Sequence, residues 1–347
     1  MPVAPVDDKG TQLYYVDTGP LEGKYLTVVL VHGTAIHGAI FHRMIPFAAA
    51  NGLRLVVVNR RDYPGSTRLT DEDLAALASP EDETRAEYFR QRALEFGEFL
   101  AWYVQQEKIP PYTVADDGKE EGGIVLLGWS SATTSLLSLL AWPERVPEKT
   151  QRVLEPYFRA FCEYDTPRWS FGFPNPPGFY HPLRDESLDP VARAVVFQSW
   201  VSGYYAHPDI TSGDLATLTQ ERLQEPRPSM DTMKPEEKDG ASQKDATVRS
   251  ETLVLTMSPP TYNAQIDRAL DKSTAHLWPR CKIKMLWCEQ SFWEVMSGKW
   301  EVDKLYAAKK AEGRVGREWI TVSRPGANHF LHWDSPEEFC KWLASAL

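Results

Sequence analysis

The stretch Ile124-Val125-Leu126-Leu127-Gly128-Trp129-Ser130-Ser131-Ala132 decides how this chain is read. Its first four residues form a short continuous apolar run, the pattern of a strand buried on both faces of a sheet. The run breaks at Gly128, and the uncharged residues that follow to Trp142 read as a helix. A serine is thereby placed on a sharp turn between a buried strand and a helix, the setting of a nucleophile elbow. Small residues at Gly128 and Ala132 suit it, because strand and helix backbones approach closely there and a larger side chain would collide. Ala132 stands where the G-x-S-x-G pattern has its second glycine, a minor steric departure. Residues 124–142 hold no charge and approach the ~20 residues that span a bilayer. Their serines, threonines and Gly128 divide them into strand and helix, so no membrane span is expected.

Similar punctuation recurs on either side. Residues 12–16, 27–31, 53–58, 158–164, 282–288 and 318–322 read as strands, and 39–50, 84–108, 190–205, 263–270 and 336–347 as helices. Such alternation implies an α/β fold with a mostly parallel central sheet and helices on both faces. At 347 residues the chain is about twice the common ~150-residue domain. The surplus lies after Pro167, where the alternation stops. Residues 168–182 are rich in proline and aromatics, and the charged stretch 224–247 reads as a solvated loop. The division expected is a core in two parts, 1–166 and 281–347, around an inserted, mainly helical lid at 167–280.

Composition excludes several roles. The 38 Lys and Arg against 48 Asp and Glu give a net charge of −10, with no basic stripe, so a nucleic-acid partner is not expected. Cys162, Cys281, Cys288 and Cys340 have neither CxxC nor finger spacing. Reduced thiols and a cytoplasmic location are the expectation, with no apolar leader segment at the N-terminus. The twelve tryptophans exceed what a core of this size needs.

Four elements occur in a set order: His32-Gly33-Thr34 after one buried strand, Arg61-Asp62-Tyr63-Pro64-Gly65-Ser66 after the next, the Ser130 turn, and Pro325-Gly326-Ala327-Asn328-His329-Phe330 near the C-terminus. In this order and spacing the chain resembles the α/β-hydrolase superfamily over nearly its whole length, and in particular fungal-type esterase- or lactonase-like members with a lid. The resemblance implies Ser130 as nucleophile, His329 as base, and the backbone N–H groups of Thr34 and Ser131 as an oxyanion hole. It implies no cofactor. The acid has two places in the family. One, after the penultimate strand, reads Trp287-Cys288-Glu289-Gln290-Ser291, with a serine where an aspartate would fall. The other, after the strand that follows the elbow helix, holds Asp165. Asp165 is the preferred acid, with Glu289 and Glu294 as alternatives that keep the Ser–acid–His order. His329 and His332 could suggest a metal pair, but no third ligand has supporting spacing, and no metal is expected.

Aromatic residues crowd the segment 168–280 and the turns expected near the elbow. Trp129, Trp169, Trp200, Trp293, Phe330 and Trp333 are the candidates for a hydrophobic substrate wall. No paired Arg or Lys is expected beside the elbow to hold a carboxylate or phosphate. The expected activity is hydrolysis of an ester or lactone in a hydrophobic small molecule through an acyl-enzyme. A C–C hydrolase, a lyase, an acyl-transferring or cyclising enzyme on the same triad, or a noncatalytic ligand receptor are the alternatives. The sequence leaves the oligomeric state open.

Overall fold

The buried apolar runs lie side by side in a computed structural model of the chain, which describes residues 2–255 and 259–347. One sheet contains β1 (Val3–Pro5), β2 (Gln12–Asp17), β3 (Leu26–Val31), β4 (Leu53–Val58), β5 (Ile124–Trp129), β6 (Phe158–Tyr164), β7 (Lys282–Cys288) and β8 (Trp319–Arg324). Their order is β1-β2-β4-β3-β5-β6-β7-β8. β2 pairs antiparallel with β1 and β4, and all other pairs are parallel. Every residue of β3, β4, β5 and β6 is buried, as expected of strands covered on both faces.

Alternation along β5 sends its last two residues to opposite faces. A Cβ on Gly128 would lie 2.9 Å from Leu136 Cδ1 and 3.2 Å from the Thr133 nitrogen, so the helix behind the elbow rests directly on this glycine. Gly128→Val is expected to cost about 1–3 kcal/mol by overpacking, read as a lower denaturation midpoint. Trp129 points the other way, into Phe41, Phe330 and His332.

The helix of the Gly128 side is broken into Ser130–Ala132, Thr133–Leu136 and Ser138–Ala141. It packs against α1 (Asp82–Glu107) and α3 (Pro259–Leu270), while Gly38–Met44, Leu331–Asp334 and α5 (Pro336–Ala346) group together elsewhere. Residues 124–142 are therefore a strand and short helical turns. Among the described residues no helix is long and apolar enough to cross a membrane.

Several expectations need correction. The helix expected at 39–50 is a 3-10 turn, Gly38–Met44, followed by the short helix Ile45–Ala48. That helix begins anew where Pro46 fits a first turn. The segment expected at 190–205 stops as α2 (Pro190–Val201). The 19-residue α4 (Trp293–Ala311) has no counterpart in the sequence reading. Its first six residues, from Trp293 to Gly298, are all buried, so no amphipathic stripe marks them. The charged stretch 224–247 is not simply a solvated loop: it forms the helices Ser229–Thr232 and Pro235–Ala241 and pairs with the segment after β3 through an Ile36–Ser242 bridge. The end of the segment expected as a lid also covers the core. α3 lies on α1, and Trp278 is buried against Phe158 with its indole N–H donating to the Gln151 carbonyl.

Candidate active site

The parallel register brings the carboxyl ends of β3, β5 and β6 together, the edge of an open α/β sheet where ligands bind. Val31 pairs with Gly128, and Trp129 with Tyr164, so His32, Ser130 and Asp165 emerge on neighbouring strands. Ser130 has φ 58° and Asp165 φ 52°, a left-handed backbone that costs a non-glycine residue about 1–3 kcal/mol and concentrates at functional sites. The turn at Ser130 leaves its side chain half-buried, whereas Asp165 and His329 are buried.

Asp165 reaches the histidine. The His329 Nδ1–H donates to Asp165 Oδ2 at 2.7 Å. The backbone N–H of Cys288 donates to Oδ1 at 2.7 Å, and the Ser291 hydroxyl donates to Oδ2. Three donors thus fix one buried carboxylate. Ser291 occupies the position where the sequence has a serine in place of an aspartate, and from there its hydroxyl donates to Asp165. Glu289, by contrast, is half-buried and donates its backbone N–H to the Arg324 carbonyl. Glu294 is buried in the first turn of α4, where burial pushes its carboxyl up to about 7 against the charges of Arg184 and Arg168.

Trp129, one residue before Ser130, holds the histidine loop from below. Its indole N–H donates to the His329 carbonyl at 3.1 Å, and the two rings are 5.0 Å apart. From the other end, Asn328 donates to the Ser202 carbonyl and to Ser229 Oγ, both at 2.8 Å, and its Oδ1 accepts from the Phe330 N–H. His332 is buried with Nδ1 on the Tyr164 hydroxyl, and burial keeps its imidazole well below the usual range, hence neutral. Among the described residues no group of three or more His, Cys, Asp or Glu could hold a metal ion.

The turn after β3 lies against the elbow. A Cβ on Gly33 would fall 2.9 Å from Ser130 Cβ, so only glycine lets the two loops touch. Thr34 Oγ1 and Ser131 Oγ are 2.7 Å apart, which places the two expected oxyanion residues side by side. An arginine also lies here. Arg60 donates to the Gly33 carbonyl at 2.8 Å, but Glu251, at 2.7 Å, neutralises it.

A family model described as the alpha/beta hydrolase family matches residues 28–342. The chain belongs to the α/β hydrolase family. A search among curated proteins finds no match to the sequence. Among solved structures, a proline iminopeptidase from Mycobacterium smegmatis is 16% identical, with a TM-score of 0.51 over 99% of this chain and 96% of the other. A proline iminopeptidase-related protein from Thermus thermophilus is 14% identical, with a TM-score of 0.50 over 100% and 96%. At these identities the likeness shows the fold alone.

The six aromatic residues expected to wall a substrate site of this α/β hydrolase are all buried, and they fall in different places. Trp200 packs on Phe292 with the rings tilted and 4.5 Å apart, and Phe292 meets the His329 ring at 5.1 Å. Phe330 and Trp129 pack together against the histidine loop, which Trp129 supports through its bond to the His329 carbonyl. Trp293 donates to the Tyr180 carbonyl, Trp333 lies under Arg43, and Trp169 joins Tyr262 in a separate apolar cluster. Sequence reasoning missed Asn328, Arg60 and Glu251 as site residues. Asn328 adjoins the histidine and could have been flagged, whereas nothing local marks Glu251, which is 191 residues from its partner.

Proposed function

We propose that this α/β hydrolase cleaves an ester or lactone in a hydrophobic small molecule, with Ser130 as nucleophile, His329 as base and Asp165 as acid. The hydrogen bond from His329 to Asp165, on a carboxylate held by two further donors, carries this reading. It fixes the imidazole with its proton on Nδ1, leaving Nε2 to accept the serine proton. Ser130 Oγ attacks the carbonyl carbon, and the oxyanion is held by the N–H groups of Ser131 and Thr34. The imidazolium returns its proton to the leaving alcohol, and water then resolves the acyl-enzyme by the same route.

Hydrophobic selectivity draws support from the rings around the histidine. Phe292 meets the His329 ring, Trp200 packs on Phe292, and the His181 ring lies 5.1 Å from Trp200.

A fluorophosphonate probe is expected to label one residue per chain, mapped to Ser130 by peptide mass spectrometry and absent in Ser130→Ala. A panel of p-nitrophenyl esters and macrocyclic lactones then tests the bond type. Labelling without turnover of either class would favour another reaction on the same triad. Absence of labelling, with tight ligand binding retained, would favour a receptor.

A further inference from the structure

The turn after β3 is built around one carbonyl. Gly33 O accepts from His32 Nδ1 at 2.9 Å and from Arg60 Nη2 at 2.8 Å. The Arg60 backbone N–H donates to His32 Nε2 at 3.1 Å, so Nε2 is the acceptor nitrogen and Nδ1 carries the proton. A trans peptide is planar, with its C=O and the following N–H pointing in opposite directions. The grip on Gly33 O therefore aims the Thr34 N–H away from Arg60. Thr34 itself touches Ser131.

Arg60 is in turn held from the inserted segment. Its Nη2 lies 2.7 Å from Glu251 Oε1, with both side chains at most one-tenth exposed. Glu251 ends a π-helical turn, Thr247–Glu251, a rare element that recurs at functional sites. The same part of the chain is tied to the turn twice more. His37 N–H donates to the Ala241 carbonyl at 2.8 Å, and Gln243 N–H to the Ala35 carbonyl at 2.9 Å. Ala35 itself has φ 65°, and its N–H donates to the Tyr63 hydroxyl at 3.0 Å.

We infer that Arg60 is a positioning residue that aims the Thr34 N–H at the oxyanion by holding the carbonyl of the same peptide, and that Glu251 is the counter-ion that keeps it there. The inference rests on the serine-hydrolase reading given above. It makes the inserted segment part of the catalytic machinery, since loss of the Glu251 carboxylate frees a buried guanidinium to seek another acceptor.

The test is the rate of fluorophosphonate labelling, between about pH 6 and 9, for the wild type, Glu251→Ala, Glu251→Gln and Arg60→Lys. Loss of one oxyanion donor costs about 10²–10³ in rate, so a misaimed one should cost roughly 10- to 100-fold. Glu251→Ala is expected to show that loss while still reaching one label per chain. The pH of half-maximal rate should stay unchanged, because the His329–Asp165 pair is untouched. Glu251→Gln keeps an acceptor oxygen for Arg60 and should recover most of the rate. Arg60→Lys keeps the charge, but its shorter side chain ends before the Nη2 position that bonds both Gly33 O and Glu251. It should be slowed with a full endpoint, and it decides the matter if Glu251→Ala fails to fold. Labelling of a folded Glu251→Ala or Arg60→Lys within about twofold of wild type would overturn the inference. So would a loss seen only in endpoint and melting temperature. A wild type that does not label refutes the serine-hydrolase reading itself, a distinct outcome.

Discussion

Asp165→Asn is expected to lower turnover of an activated ester by about 10⁴-fold without unfolding the protein. The surrounding donors set the size of the effect. Cys288 N–H points at Oδ1, so the amide oxygen of an asparagine is drawn to that position. Its NH2 group then faces His329 Nδ1, where the carboxylate oxygen had been. Two N–H groups cannot share that contact, so the imidazole must present a lone pair at Nδ1 and move its proton to Nε2. In that tautomer it cannot accept the Ser130 proton, and the charge that stabilises the imidazolium is gone as well. Glu289→Gln should change turnover by less than about threefold, which fits a carboxylate set apart from the histidine and gives the contrast its control. Steady-state kinetics on one p-nitrophenyl ester, with thermal melts of each variant, make the comparison. A collapse in Glu289→Gln with Asp165→Asn near wild type would move the acid to Glu289.

The acid also marks how far the sequence could be read. The strands were legible because β3, β4 and β5 are covered on both faces and so are written almost wholly in apolar residues. The elbow was legible because close packing leaves Gly128 no room for a side chain. Choosing between the two positions for the acid required distances across 164 residues of chain, from Asp165 to His329. The serine at 291 looked like a defect in the alternative site until its hydroxyl was seen on Asp165. Arg60 reads as an ordinary turn arginine, and its pairing with Glu251, which no local pattern links to it, is visible only in the fold. The aromatic surplus was visible in the composition, yet only the fold separates Trp200, packed on Phe292 beside the histidine, from Trp129, which bonds the His329 carbonyl.

Glu163→Met is expected to stabilise the protein, by an amount that grows with pH. Glu163 lies two residues before Asp165 on β6 and pairs in register with Gly128 and Met285. Its side chain is wholly buried, and its two carboxyl oxygens find no hydrogen-bond partner among the described residues. Burial alone raises its pKa well above the usual carboxylate range, so the folded chain holds a proton that the unfolded chain releases above about pH 4.3. The folded state then binds more protons than the unfolded one, and stability falls with rising pH by up to about 1.4 kcal/mol per unit until the buried group ionises. Methionine has a similar length, needs no partner and adapts to the cavity. It should therefore stabilise the fold at pH 5 and more so at pH 7, the gain growing for as long as the buried carboxyl keeps its proton. The buried imidazoles of His32 and His332 are held well below their usual range and act in the opposite sense, losing stability as pH falls. They are common to both proteins, so the difference between variant and wild type at each pH isolates Glu163. Urea midpoints measured at both pH values give that difference. A gap that does not change with pH would mean that the carboxyl is already ionised in the fold.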